Sequence, residues 1–177
     1  MCAVKDDFTL IRDKLLEADA LVIGGPNYFD TLNVLTQTFF ERCYQFRHQE
    51  GKALWGKLAV AVGVGGIRGS APADQIEKMC MVNLIETVAK IQGQGTASCY
   101  TCGYGETCQV GIPAFLNGSC VKFTEDIIPR VEKQSDLMAS AVAAGKLLGE
   151  RLNEGHDRAK VATAVQQEIM KRYAETV

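Results

Sequence analysis

The sequence lacks any run rich in Lys and Arg, and it lacks a long apolar stretch. Its formal charge of -2 and its isoelectric point near 5.7 give no positive field that could hold a phosphate backbone, which argues against a nucleic-acid partner. The longest apolar runs, Leu58 to Ile67 and Leu137 to Leu148, are too short to cross a bilayer. The first residues, Met-Cys-Ala-Val-Lys-Asp-Asp, contain no apolar signal core. We therefore expect a cytoplasmic protein without a membrane or nucleic-acid partner.

Histidine is also scarce. The two histidines, His48 and His156, lie in polar stretches with no partner at metal-ligand or catalytic-triad spacing. No paired carboxylates are arranged for acid–base work either. We therefore predict no catalytic acid, base or nucleophile, and a cofactor would have to supply any hard chemistry.

What the chain does have is enough apolar material for one core, with 47% hydrophobic and 23% charged residues in 177. We expect one main domain over residues 1–153 and a mostly polar helical tail over 154–177, which would be an oligomer contact or an exposed appendage. The apolar spacing predicts a helix capped by Asp6 and Asp7, a buried strand at Ala20 to Ile23, a helix at Thr31 to Arg47 and a second strand at Leu58 to Val62.

The second half of the chain continues the same rhythm. Pro72 suits the first turn of a helix whose apolar side would carry Ile76, Cys80, Leu84, Val88 and Ile91. A third strand at Gln92 to Ser98 is a weaker expectation because of its glycines. A last core helix would carry Leu137, Ala141, Ala144, Leu148 and Leu152. Alternating strands and helices predict an α/β fold, with a doubly wound parallel sheet and helices on both faces.

Two loops follow the predicted strands, at the sheet end where ligands of such folds bind. The first runs from Gly24 to Asn33 and contains Pro-Asn-Tyr-Phe; the second is the glycine-rich segment from Gly63 to Ser70. A flavin ring needs a flat apolar contact and backbone N–H donors along its pyrimidine edge and at N5, and these loops supply both. The alternative is that Tyr28 and Phe29 only plug the sheet end and the glycines only make a turn.

Several short motifs follow one another along the first half of the chain: Asp6-Asp7, Glu17-Ala-Asp-Ala20, Gly25-Pro-Asn-Tyr-Phe29, Phe39-Phe-Glu-Arg42, Gly56-Lys57 and Gly63-Val-Gly-Gly66. Their order and spacing resemble the flavodoxin-like NAD(P)H-dependent FMN reductases and iron-sulfur flavoproteins. The resemblance implies a flavodoxin-like sheet that lacks its first β-α-β unit, so that Met1 would be an internal methionine and the FMN phosphate site would lie outside this sequence. It implies flavin contacts at Pro26, Asn27, Tyr28, Phe29, Asn33, Gly65, Gly66, Ile67 and Gly69.

The sequence has seven cysteines, which is an odd number, and a cytoplasmic protein lies in a reducing compartment. Thiols, metal ligands or redox groups are therefore expected rather than a disulfide framework. Four of them, Cys99, Cys102, Cys108 and Cys120, lie in one glycine-containing loop. They predict an iron-sulfur cluster or zinc site, with a Cys99/Cys102 redox pair or plain loop cysteines as alternatives. Cys43 and Cys80 fall on apolar helix faces and are expected in the core. Cys2 matches the last cluster ligand of the iron-sulfur flavoproteins.

The leading functional hypothesis is an FMN-dependent oxidoreductase or electron-transfer flavoprotein. It would accept hydride from NAD(P)H and pass electrons to a small acceptor or a metal cluster, and we expect it to be a homo-oligomer. The alternative is a metal-stabilised interaction module in which the flavin site is vestigial.

Overall fold

The computed structural model describes residues 5–48 and 52–175, and the backbone alone at His48. The predictions for Cys2 and for the His48 side chain lie outside this part. The strands are β1 (Ala20–Tyr28), β2 (Thr31–Leu32), β3 (Leu58–Gly65) and β4 (Glu86–Gln94). The α-helices are α1 (Phe8–Glu17), α2 (Val34–Cys43), α3 (Gln45–His48), α4 (Ser70–Val82), α5 (Ile112–Asn117), α6 (Ser135–Asn153) and α7 (Arg158–Ala174).

Three strands form the parallel part of the sheet, in the order β1-β3-β4. The register between β1 and β3 runs from Ala20 opposite Leu58 to Pro26 opposite Val64. β4 pairs in parallel with β3, and the short β2 pairs antiparallel with the end of β1. The predicted α/β class with a parallel sheet is therefore confirmed.

The sheet is covered by helices on both faces. Alternate residues of β3 belong to two different clusters, because successive side chains of a strand point to opposite faces. On one face Ala59 and Ala61 pack with apolar residues of α1, α2, α3 and α4; on the other Val60 packs with Ile91 and with Ala144 of α6. This is the doubly wound arrangement expected from the alternation of strands and helices.

The boundary after α4 differs from the sequence prediction. The helix ends at Val82, Leu84 takes a left-handed backbone conformation with φ of 54°, and β4 begins at Glu86. The prediction that Val88 and Ile91 continue the helix is therefore wrong. In β4 Ile91 and Gly93 are buried while Lys90 and Gln92 are exposed, which is the period of a strand.

The first predicted loop is also more regular than expected. β1 continues through Gly24 to Tyr28, where a two-residue turn leads into β2. The predicted helix from Thr31 to Arg47 is split into β2, α2 and α3. Glycines and Pro26 suggested a loop, but Pro26 lies near the end of a strand whose other edge is open, where a missing N–H costs little.

That open edge of β1 is flanked by two apolar cavities. Within the described residues, only β2 pairs with this edge, at Asn27 and Tyr28. A cavity of about 550 Å³ lies between α1, β1 and α2, and another of about 340 Å³ lies under α6 on the opposite face. Val22 lines both cavities and is 69% exposed.

The C-terminal helix α7 packs against the main domain. Arg158 donates hydrogen bonds to the carbonyl oxygens of Trp55 and Ala53, at 3.0 and 2.6 Å, and Ala162 is buried. α7 also contacts α4 and β4. An exposed appendage does not describe this segment.

Candidate functional site

The turn between β1 and β2 presents two aromatic side chains to solvent. Phe29 and Asp30 have positive φ angles of 52° and 59°, the conformation of a tight two-residue hairpin, and a non-glycine residue there carries backbone strain. Phe29 is 103% exposed and Tyr28 is 60% exposed. The two rings therefore plug nothing at the sheet end, and a flat ligand could reach them.

The glycine-rich segment after β3 is fixed by donors that bind its carbonyl oxygens. The N–H of Gly95 donates to Gly65 O at 2.8 Å, and the side-chain amide of Gln94 donates to Gly66 O at 2.9 Å. Asn27 Nδ2 donates to Arg68 O, also at 2.9 Å. Three carbonyl groups of the segment are thereby held, two by donors at the end of β4 and one by a donor at the end of β1.

Close backbone approach explains why glycine is required here. A Cβ atom at Gly65 would lie 2.0 Å from Arg68 O and 2.9 Å from Asn27 Cβ. Gly63 and Gly69 pack against each other so closely that a Cβ on either would meet the other's carbonyl oxygen at about 2 Å. A side chain at Gly63 or Gly69 would force the glycine segment open, and one at Gly65 would also push it away from Asn27. The glycines thus let the hairpin tip (residues 27–30) and the glycine segment (residues 65–69) pack together, and the surface that they form is named the two-loop surface.

Polar groups of the two loops also meet at the two-loop surface. Arg68 forms an exposed ion pair with Asp30 at 3.2 Å, which links the hairpin tip to the glycine segment. Asn27 Oδ1 is buried without a hydrogen-bond partner among the described residues. Buried acceptors are normally satisfied, so this oxygen has an unmet hydrogen-bonding capacity.

The predicted flavin residues are thus brought together, with one exception. Asn27 contacts Gly65, and Tyr28, Phe29 and Ile67 are exposed at the two-loop surface. Asn33 instead caps α2, because its Oδ1 accepts from the Thr36 hydroxyl at 2.6 Å and the Thr36 N–H at 3.4 Å. The geometry gives Asn33 a structural role.

Comparison with known proteins bears on the same residues. Residues 1–90 match a family described as NADPH-dependent FMN reductase. The chain belongs to that family. A segment of 67 residues is 33% identical to an iron-sulfur flavoprotein of Methanocaldococcus jannaschii, covering 38% of this chain and 34% of the relative. The chain therefore spans about a third of that relative, and the expected flavodoxin-like class is confirmed by the family and the sheet together.

In this member of the FMN reductase family, the motifs that contain Arg42 and Lys57 have structural roles away from the two-loop surface. Arg42 pairs with Asp6 of the same chain at 2.7 Å, and its guanidinium lies 5.2 Å from the Phe8 ring centre. Hydrogen bonding to Arg42 holds the pKa of Asp6 below its ordinary value. Lys57 is buried and donates to the carbonyls of Leu16 and Ala18, where it caps α1.

The four loop cysteines are spread through the segment between β4 and α6. Cys99 and Cys108 are partly buried and Cys102 and Cys120 are exposed. Within residues 5–48 and 52–175, no three His, Cys, Asp or Glu side chains are grouped so as to hold a metal ion. This arrangement of thiols does not fit an iron-sulfur cluster or a zinc ion, so the metal site stays a prediction.

The remaining described cysteines behave as the sequence predicted. Cys43 and Cys80 are buried in the core against α1, α2 and α4. Burial raises the pKa of each thiol to about 12, so both stay protonated and unreactive at neutral pH.

Sequence reasoning missed the glutamines that hold the glycine segment. Gln94 ends β4 and Gln134 precedes α6, and each uses its side-chain amide to bind backbone. A glutamine carries little positional signal, because its side chain is usually solvated. Only a correct boundary for β4 would have placed Gln94 at the sheet end with the two loops.

The described helices include none that is long and apolar enough to span a membrane.

Proposed function

We propose that this chain is part of a cytoplasmic FMN-dependent oxidoreductase, in which the flavin accepts hydride from NADPH and passes electrons to a small acceptor. The observation that carries the proposal is the two-loop surface. One loop offers exposed aromatic rings, and the other offers backbone N–H groups on a segment whose carbonyls are already bound. Such a pair of surfaces suits a flat ring with hydrogen-bonding edges.

The residues of this chain would bind and orient the ring. Phe29 and Tyr28 would pack on it, Asn27 Oδ1 would accept a hydrogen bond, and the N–H groups of Gly66 and Ile67 would donate. FMN itself would supply hydride acceptance, so these residues need only bind and orient the ring.

The archaeal relative is named an iron-sulfur flavoprotein, but the proposed function of this chain does not include an iron-sulfur cluster. The described cysteines are not grouped as cluster ligands, and nothing in the structure favours the metal-stabilised interaction module over a flavin protein. The proposed electron path therefore ends at a small acceptor. We also propose that the protein acts as a homo-oligomer.

The test is titration of the purified chain with FMN, followed by flavin fluorescence, and then addition of NADPH without oxygen. We expect saturable quenching and NADPH-dependent bleaching of the oxidised flavin absorbance. Riboflavin, which lacks the phosphate, is a matched ligand that reports on the ring site alone. Absence of saturable binding by either ligand would overturn the proposal.

A further inference from the structure

We propose that Gln94 and Gln134 are positioning residues, which aim two backbone N–H groups of the glycine segment at the flavin ring. This inference rests on the proposed function. Its first basis is a continuous chain of hydrogen bonds from α6 to the glycine segment. Gln134 Nε2 donates to Gln94 O at 2.6 Å, Gln94 N donates back to Gln134 Oε1 at 3.3 Å, and Gln94 Nε2 donates to Gly66 O at 2.9 Å.

Gln134 acts as a short substitute for a further strand. Its amide exchanges two hydrogen bonds with the backbone of Gln94, in the way that a neighbouring residue of a sheet would. A third bond, from Gln134 Nε2 to Arg130 O at 3.2 Å, ties the same side chain to the turn before α6. The last residue of β4 is thereby fixed although no strand of the described sheet lies beyond it.

The direction of the N–H groups follows from the geometry of the peptide bond. In a trans peptide the C=O and the next N–H point to opposite sides. Gly65 O and Gly66 O both point toward the end of β4, where Gly95 N and Gln94 Nε2 bind them. The N–H groups of Gly66 and Ile67 therefore point away from β4.

The side away from β4 is the side of the hairpin. β1 lies across β3 from β4 in the sheet, and Asn27 at its end packs against Gly65. Neither N–H donates to an acceptor within the part of the chain that the structure describes. The two donors thus face the two-loop surface. The Gln94 side chain sets the direction of the Ile67 N–H through Gly66 O. The direction of the Gly66 N–H is set by Gly95 N, which belongs to the peptide that Gln134 holds at Gln94 O.

The chain offers a charge-matched set of variants. Gln94→Glu keeps the shape of the side chain but removes the donor to Gly66 O, and Gln134→Glu removes the donor to Gln94 O. Gln92→Glu adds the same charge on the exposed side of the same strand, where the structure shows no hydrogen bond of the Gln92 side chain. Gln94→Met removes the donor without adding charge.

We expect Gln94→Glu and Gln94→Met to raise the Kd for FMN about fivefold relative to Gln92→Glu and wild type, respectively, as for a lost hydrogen bond. Gln134→Glu, one step further away, should raise it about twofold. Hydrogen exchange gives a second measure: FMN should slow exchange of the Gly66 and Ile67 amides in wild type and in Gln92→Glu, but much less in both Gln94 variants.

A merely structural role would lower the thermal midpoint and leave the exchange pattern on binding unchanged. Equal Kd values and equal protection of Gly66 and Ile67 in all folded variants would overturn the positioning role. If wild type itself shows no binding of FMN or riboflavin, the proposed function fails. If wild type binds and the Gln94 variants match it, only this inference fails.

Discussion

Two glycine-containing segments follow neighbouring parallel strands, and the structure treats them differently. The glycine segment after β3 is held by donors from β1 and β4, and its glycines touch other backbone. In the cysteine segment after β4, Gly103 and Gly118 have positive φ and nothing within 4 Å of an added Cβ. An added Cβ at Gly105 of the same segment would, however, lie 2.0 Å from Cys99 O. The comparison teaches that the glycines of the first segment serve close approach, whereas those of the second are divided between close approach and chain turning.

The largest expected effect comes from filling that close approach. Gly65→Val would place a Cβ 2.0 Å from Arg68 O, so the segment must shift and its donors must lose their aim. We expect the Kd for FMN to rise about tenfold or more, in line with the cost of overpacking. FMN titration measures it, with circular dichroism to verify folding.

The matched change in the other segment is Gly103→Ala. It meets no atom, so its cost is only that of a left-handed backbone, about 1 kcal/mol of unfolding free energy. FMN affinity should stay within twofold of wild type. A similar loss of affinity in both variants would erase the distinction between the two segments.

A smaller effect is expected from the exposed rings. Phe29→Ala removes a fully exposed side chain, so stability should hardly change, while lost stacking on the flavin should raise the Kd about fivefold. Phe115→Ala, in α5 of the cysteine segment, removes a ring that is 72% exposed and serves as the control. Equal affinities of the two variants would remove Phe29 from the site.

The smallest effect on flavin binding is expected from the cysteines. The double variant Cys102→Ser/Cys108→Ser should bind FMN as wild type does, because the hairpin and the glycine segment, not the cysteine segment, form the two-loop surface. Elemental analysis of protein purified without oxygen tests the metal site that the sequence predicts. Metal near one equivalent in wild type and lost in the double variant would require this segment to rearrange on binding, whereas less than about a tenth would reject the site.

The sequence predicted the sheet better than it predicted the ends of its elements. Buried strands at Ala20 and Leu58 were recognisable, because a parallel sheet covered on both faces leaves continuous apolar runs. β4 was misread as helix, because Leu84, Val88 and Ile91 happen to continue the spacing of Ile76 and Cys80. The positive φ at Leu84, which ends that continuity, leaves no mark in the composition.

The candidate site was partly predictable for a related reason. Glycine and aromatic residues at strand ends carry a strong local signal, so the two loops were identified from the sequence. Hydrogen bonds that orient the glycine segment come from Gln94, which Gln134 binds in turn, and both residues are far from Gly66 in the sequence. Side-chain contacts over 28 and 40 residues depend on strand register, and no local pattern encodes them.

The open edge of β1 has a consequence for amide hydrogen exchange. In a parallel sheet, alternate residues of a strand direct their N–H groups to opposite neighbours. From Ala20 to Gly25, amides directed at β3 are protected by the ladder, while amides on the other side have no partner strand among the described residues and face the flanking cavities. Exchange along β1 should therefore alternate between slow and fast from one residue to the next, whereas β3, paired on both sides, should be slow throughout.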